Sequence, residues 1–289
     1  MAAATPTEDS LTKHQDAATA EVRATSGGRL RFAHVLLFEW IKLRSLRSNW
    51  ITLASASVVI SSFGVLAAVV AAGRAASQGG SARLLGAPNP LDTVLTGSYF
   101  ALLIIGVLGA LLGAREYSSG MIRLTLTAVP GRLNVLWARV LVFAAVVASA
   151  VVLGVLVAFV AGMQVLSSGG GPTAAWSDPG VARALLGTVG YLIGIGLLGL
   201  SLGVLLRSIA ASIGVLVGGV LVIPAILGAL LPESWKDALK YLPSNAGNSF
   251  TTLTPPPGNL GIAAGAAVFT LWVIAAVFAA AVSLRTRDA

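Results

Sequence analysis

The run ALLGTVGYLIGIGLLGLSLGVLLRSIAASIGVLVGGVLVIPAILGALL, residues 184–231, contains a single charged residue, Arg207. Crossing about 30 Å of hydrocarbon as a helix takes roughly 20 apolar residues, and the run supplies that length on each side of Arg207. It reads as two membrane spans, 184–206 and 208–231, joined in a tight hairpin. Pro224 lies inside the second and is expected to kink it. Outer-membrane barrels are built from alternating strands of about ten residues, a pattern this run does not have.

Four further runs lack Asp, Glu, Lys and Arg: 50–73, 93–114, 140–165 and 258–284. The third belongs to a span of about 135–165. The predicted fold is an all-α integral membrane protein with six transmembrane helices. Composition agrees: the 289 residues are 56% hydrophobic and 10% charged, with mean hydropathy +0.88, whereas a soluble domain is about 25% charged. The chain has no cysteine, which removes disulfides, thiolate nucleophiles and thiolate metal sites.

Residues 1–28 differ in kind, being rich in Ala, Thr and Ser, with Lys13 and Arg23 set against Glu8, Asp9, Asp16 and Glu21. They have no apolar stretch of the kind a secretory signal needs and too little apolar surface to offset the entropy of ordering. A disordered cytoplasmic tail is expected here, with the transmembrane domain occupying 29–289.

Lys and Arg flanking spans are retained in the cytoplasm. With the N-terminus inside, the inner flanks hold Arg29, Arg31, Lys42, Arg44, Arg47, Arg115, Arg123, Arg132, Arg139, Arg207, Arg285 and Arg287; the outer side holds Arg74, Arg83, Arg183, Lys236 and Lys240. Twelve against five places both termini in the cytoplasm of a multi-pass protein of the cell (plasma) membrane. The net charge of +8 is spread over separate loops. It is a topology signal, and nucleic acid is not an expected partner.

The segment RFAHVLLFEWIKLRSLRSN, 31–49, precedes the first span. Phe32, Leu36, Trp40, Leu43 and Leu46 recur at helical steps as one apolar stripe. Arg31, His34, Glu39, Lys42 and Ser45 form the opposing stripe, and Arg44 and Arg47 follow. A basic amphipathic helix of this kind lies in the membrane interface, its cationic heads snorkelling to lipid phosphates. The alternative is a straight extension of the first span.

Between the second and third spans stands REYSSGMIRLTLTAVPGR, 115–132. Gly120 can take the left-handed conformation that ends a helix. Met121, Leu124 and Leu126 then supply apolar residues among Arg123, Thr125 and Thr127 for a short helix, and Pro130-Gly131 turns the chain before Arg132. Two antiparallel helices need only a handful of linking residues, so this loop is more than a connector needs. Glu116 is its one carboxylate, within reach of an ion pair with Arg115, Arg123 or Arg139.

In this order and spacing the chain resembles the membrane-spanning permease subunits of type-2 ABC transporters, especially actinobacterial-looking ones, from residue 31 to residue 287. The resemblance rests on Glu39-x-x-Lys42-Leu43-Arg44-x-x-Arg47 before a span opening at Trp50. It rests also on Arg115-Glu116-x-x-x-Gly120-x-x-Arg123-x-x-Leu126-x-x-x-Pro130-x-Arg132, and on Tyr241-Leu242-Pro243-Ser244 after the fifth span. It implies that the first cytoplasmic loop carries a coupling helix that docks in a groove of a cytoplasmic ABC ATPase subunit. Glu116, Gly120, Met121, Arg123, Leu124, Leu126, Pro130 and Arg132 would form that contact, and the entry helix would be a membrane-interface elbow. It further implies a homodimer, or a pairing with a second permease subunit, that exports a substrate ranging from drugs and peptides to lipids.

The chemistry for hydrolysing ATP is missing from this chain. A P-loop requires Gly-Lys, but the four lysines follow Thr12, Ile41, Trp235 and Leu239; ATP and Mg are expected on the partner. His14 and His34 have no metal-ligand partner at useful spacing, and no Ser-His-Asp arrangement is present, so neither an enzyme active site nor a bound cofactor is expected. Two other functions stand beside the permease: an ion-gradient-driven secondary transporter and a non-transporting membrane scaffold. The charge-free runs argue against ion coupling, which generally uses an ionisable group in the membrane.

Glycines at 109 and 113, 190 and 194, 199 and 203, and 214 and 218 stand four apart, a spacing that lets helices approach in lipid. The cluster over 187–219 predicts close packing of spans four and five. In the loop 232–258, Trp235, Leu239 and Leu242 share a face of a possible short helix that either caps the outer end or serves as an amphipathic connector. The loop 74–92 shows no comparable pattern.

Overall fold

The computed structural model describes residues 32–78, 89–118, 132–232 and 237–286. Its elements are α1 (Phe32–Ser45), α2 (Arg47–Gln78), α3 (Pro90–Val94), α4 (Ser98–Ser118), α5 (Arg132–Ser168), α6 (Val181–Leu206) and α7 (Ile209–Val217). A π-helical turn (Gly218–Val222) then leads into α8 (Ile223–Leu230), followed by α9 (Pro243–Thr251) and α10 (Ile262–Thr286). No strand occurs among the described residues. Six stretches are long and apolar enough to cross a membrane: Arg47–Ala75, Ser98–Arg115, Leu133–Ser168, Val181–Leu206, Ile209–Leu230 and Ile262–Thr286. The chain is an all-α, multi-pass membrane protein.

The third span departs from its charge-free run. Helix α5 has 37 residues, about 55 Å at 1.5 Å per residue, so it projects past the hydrocarbon and takes Arg139 inside the helix. The short helix α1 packs against the first turns of α5, where Val35, Val135 and Ala138 form a small buried cluster of their own. A break at Leu46 separates α1 from α2. Asn49 Nδ2 donates to the Leu43 carbonyl at 3.2 Å, and Trp50 Nε1 to that of Arg44 at 3.2 Å. Side chains of α2 thus satisfy carbonyls that the end of α1 leaves open. The entry segment is a separate helix, broken from the first span at Leu46 and not continuous with it.

A close helix contact joins α4 to α6. Gly199 of α6 lies on the backbone of Gly106, and Gly203 on that of Ala110, Gly113 and Ala114. From the other side, Gly109 and Gly113 of α4 face the backbone of Gly196 and Leu200. In lipid, association rests on packing rather than on escape from water, and two glycine faces bring the backbones together. The expectation that the cluster joins spans four and five is therefore corrected: Gly199 and Gly203 meet span two, while Gly194 meets Phe269 and Val273 of span six. Gly214 and Gly218 of span five have open space where a Cβ would stand.

Spans four and five do form the hairpin expected at Arg207. That residue ends α6 in the left-handed conformation at φ 53°, and Ser208 caps α7 by accepting from the Ala211 amide at 3.4 Å. Ser212 Oγ donates to the Leu202 carbonyl at 3.1 Å and ties the two arms together. The irregularity expected at Pro224 is a π-helical turn. The amide of Ile223 bonds back to Gly218, one residue further than in an α-helix, just ahead of the residue that lacks an N–H.

Two short helices fill the same end of the bundle. In α3, Asn89 caps the helix by accepting from Leu91 N at 3.0 Å, with Pro90 at its first position. Leu91 and Val94 are fully buried, and Gly64 and Gly162 make room for Val94. In α9, Ala246, Gly247, Ser249 and Phe250 are buried against α6 and α10.

Candidate functional site

At the end of the bundle that carries α1, Glu39 and Arg139 form a buried ion pair. Glu39 is 5% exposed and Arg139 8%. Arg139 Nε donates to Oε2 and Nη2 to Oε1, each at 3.3 Å. Val135 and Ala138, one turn below and beside Arg139, are small enough to let α1 approach, and the pair closes over that contact. Lys42 Nζ stands 3.8 Å from Glu39 Oε1. Its ammonium is pushed down to about 8, first by burial and then by the charges of Arg139 and Arg115, which outweigh the opposing pull of Glu39. Arg115 lies in the last turn of α4. The cluster thus gathers charges from α1, α4 and α5.

This arrangement overturns the expected division of α1 into a lipid stripe and a water stripe. Glu39, placed on the water-facing stripe, is buried; Leu43, placed on the lipid stripe, is also buried, and Leu36 packs partly into the same contact. The exposed residues include Phe32, Leu37, Phe38, Trp40 and Ile41 together with Arg44 and Arg47. The physical reason is the partner on α5. Arg139 makes a buried position for a carboxylate, and the periodicity of α1 alone does not reveal it.

The cluster stands at the roots of the expected coupling loop. Gly120, Met121, Arg123, Leu124, Leu126 and Pro130 lie outside the described residues. Glu116 is in the last turn of α4 and Arg132 opens α5, and the side chains of both lie outside the described residues. The structure therefore places the two ends of the loop, while the short helix expected between them lies outside what is described.

At the opposite end, Arg183 from the first turn of α6 closes the C-terminus of α9. Its guanidinium donates to the carbonyls of Phe250 at 3.1 Å, Thr252 at 3.0 Å and Leu253 at 2.8 Å. Asn245 Nδ2 donates to the Leu239 carbonyl at 2.9 Å, and Trp272 Nε1 to that of Tyr241 at 2.9 Å. Tyr191, Phe250 and Phe269 form an aromatic cluster beneath, with centroids 5.0–6.4 Å apart. Of the helix expected around Trp235, Leu239 and Leu242, residues 237–239 are helical and Trp235 lies outside the described residues. Helix α9, which starts at Pro243 and is buried, is a second helix that was not expected.

Neither α3 nor the Glu39–Arg139 pair was expected from sequence. For α3 the signal was Asn89-Pro90, a helix cap followed by the residue favoured at the first helical position. For the ion pair the signal was a carboxylate and an arginine beside two predicted spans, which leaves the pairing open. No protein-family model matches the chain, and no curated protein does.

Proposed function

We propose that the chain is the membrane-spanning permease subunit of an ABC exporter, driven by ATP hydrolysed on a separate cytoplasmic ATPase subunit. The observation that carries this reading is the Glu39–Arg139 pair with Lys42 and Arg115, at the base of the segment 119–131. A loop that receives force from a partner must be rooted in something stiff. Here α5, one of the two helices that bear it, is fixed to α1 by the Glu39–Arg139 charges as well as by apolar contacts.

In this reading the 119–131 segment docks on the ATPase, both termini are cytoplasmic, and two copies, or this chain and a second permease, meet in the plasma membrane. The substrate moves along their interface past uncharged residues of spans two and five. These spans adjoin where Leu216 of α7 packs on Gly106 of α4. Span five is little covered by its own chain, with Val215, Val222, Ile223, Ile226 and Leu230 exposed, which leaves a surface for a second protomer. An uncharged pathway favours an amphipathic or lipid-like substrate.

Purification of the tagged protein from native membrane, followed by mass spectrometry, tests the reading. The expected result is a co-purifying chain with a P-loop in stoichiometric amount. A preparation free of any nucleotide-binding chain that still moves solute in proteoliposomes when an ion gradient is applied would return the secondary-transporter reading.

A further inference from the structure

A small cleft opens between α3, α4, α6 and α9, at the end of the bundle opposite the Glu39–Arg139 pair. Its volume is about 30 Å³, and its lining includes Asp92, Ser98, Tyr99, Tyr191, Asn248 and Thr251. That is room for one small polar group and little more. Tyr99 is 54% exposed, so the cleft reaches the surface at that side chain.

The lining has an unusual amount of unused bonding capacity. Among the described residues, no donor or cation engages the Asp92 carboxylate. Burial alone raises its pKa above the ordinary carboxylate range, and no neighbouring cation offsets the effect. The nearby side-chain groups of Ser98, Tyr99, Asn248 and Thr251 likewise bond to no other described residue. Arg183, the cation of α6 at this end, is turned to the carbonyls of Phe250, Thr252 and Leu253. Asp92 is half-buried, and a carboxylate partly removed from water without a partner bears a desolvation cost, so a site of this composition favours a cation.

The lining also narrows the kind of cation. Divalent metals take several charged or carbonyl oxygens, and no group of three or more His, Cys, Asp or Glu that could hold a metal occurs among the described residues. One carboxylate, neutral oxygens on several sides and two tyrosine rings match a group that carries one charge and donates several directed hydrogen bonds. Aromatic faces add attraction for such a cation.

We propose that this cleft binds a primary ammonium group, with Asp92 as its counter-ion, Asn248 and Thr251 accepting its remaining hydrogen bonds, and Tyr99 and Tyr191 flanking it. The ammonium belongs either to the headgroup of an aminophospholipid or to a free amine. The site does not depend on the identity of any ATPase partner, so it stands or falls apart from the transport reading.

The test is calorimetric titration of ethylammonium chloride into the full-length chain in phosphatidylcholine nanodiscs, at constant ionic strength, with tetramethylammonium chloride as the probe that cannot donate hydrogen bonds. Saturable binding of ethylammonium is expected, with tetramethylammonium weaker by about tenfold or more. Asp92→Asn should lose about tenfold or more in affinity, since removing one side of a desolvated charge pair costs at least that. Tyr99→Leu, at an exposed position that tolerates substitution, should lose severalfold and serves as a second variant if Asp92→Asn folds poorly. Repeating the titration in discs containing phosphatidylethanolamine separates the sources: weakened ethylammonium binding identifies the lipid headgroup, and unchanged binding identifies a free amine. Equal binding by wild type and both variants, or no saturable binding in phosphatidylcholine, would overturn the proposal.

Discussion

Arg139 and Glu39 are 100 residues apart in sequence, yet two parallel hydrogen bonds of 3.3 Å join them in a site that water barely reaches. Breaking a buried pair by removing one partner costs about 3–5 kcal/mol, because a charge is left behind. The distances exceed the roughly 2.7–2.9 Å of the strongest charged hydrogen bonds, which places this pair near the lower end. Arg139→Met should therefore destabilise the purified protein by about 3 kcal/mol in a denaturant or SDS titration. Glu39→Leu combined with Arg139→Met should recover most of that loss. A double variant as unstable as the single one would show that the pair's contribution lies elsewhere.

Lys42 gives the molecule a pH response of defined sign. Its folded-state pKa is about 8, against an ordinary value of 10.5. Below pH 8 it is charged in both states, and the folded protein bears the full cost of burying that charge. Between about 8 and 10.5 the folded state holds fewer protons than the unfolded one, so stability rises with pH; above that window it is flat. Wild type should gain thermal stability between pH 7.5 and 9.5, and Lys42→Met should lose that component of the gain.

The glycine seam makes a contrast prediction. A Cβ at Gly199 meets the backbone of Gly106, whereas one at Gly214 meets nothing within 4 Å. Gly199→Ala should cost about 1–3 kcal/mol through overpacking. Gly214→Ala should be neutral or stabilising by up to about 1 kcal/mol, the helix preference of alanine over glycine. Equal effects at the two positions would show that the α4–α6 contact is looser than its geometry.

The transport reading predicts a separation of assembly from insertion. Leu124→Ala with Leu126→Ala should weaken association with the ATPase by one to a few decades, taking roughly 2 kcal/mol or more for truncated buried leucines. Insertion and pairing of permease subunits should be unchanged. Glu116→Gln should reduce coupling of hydrolysis to transport more than it reduces assembly. A double leucine variant that assembles and transports at the wild-type rate would reduce the loop to a connector.

Orientation is open to a direct chemical test, because the chain has no cysteine. Ser177 and Thr286 are exposed and lie at opposite ends of the spans. Ser177→Cys should react with an impermeant thiol reagent in intact cells, and Thr286→Cys should react only after lysis. Ser283, close by in sequence, is buried and would be silent on either side. The reverse pattern would move the 119–131 segment out of reach of a cytoplasmic ATPase.

Hydropathy located all six spans, and Arg207 and Pro224 marked a real hairpin and a real irregularity, because the bilayer imposes length and backbone pairing on any crossing segment. Helix neighbours were much less legible. In a membrane the residues that face lipid and those that face protein are both apolar, so Ile60, fully buried, and Val58, 61% exposed, belong to one unbroken run. Glycine spacing showed that a close contact exists but not which helix is the partner. The buried face of α9 was hidden for another reason. Its burial depends on Arg183 and on the flatness of Gly247 against Tyr191 and of Gly265 against Ser249, none of which repeats at helical spacing within the segment itself.

The clamp that Arg183 puts on α9 also governs how this end of the molecule looks from afar. An open helix C-terminus carries about half a negative charge; with a guanidinium seated on its carbonyls, the sum is roughly half a positive charge, set against the full negative charge of Asp92. Lys240 and Asp237 cancel each other nearby, 3.3 Å apart, and Arg74 and Asp178 add one exposed charge of each sign. Ions at physiological salt damp what remains over about 8 Å. As far as the described residues set it, the field on this face is too weak to attract or repel a solute at long range. Discrimination between charged solutes here is a matter of contact, decided only once a molecule has arrived.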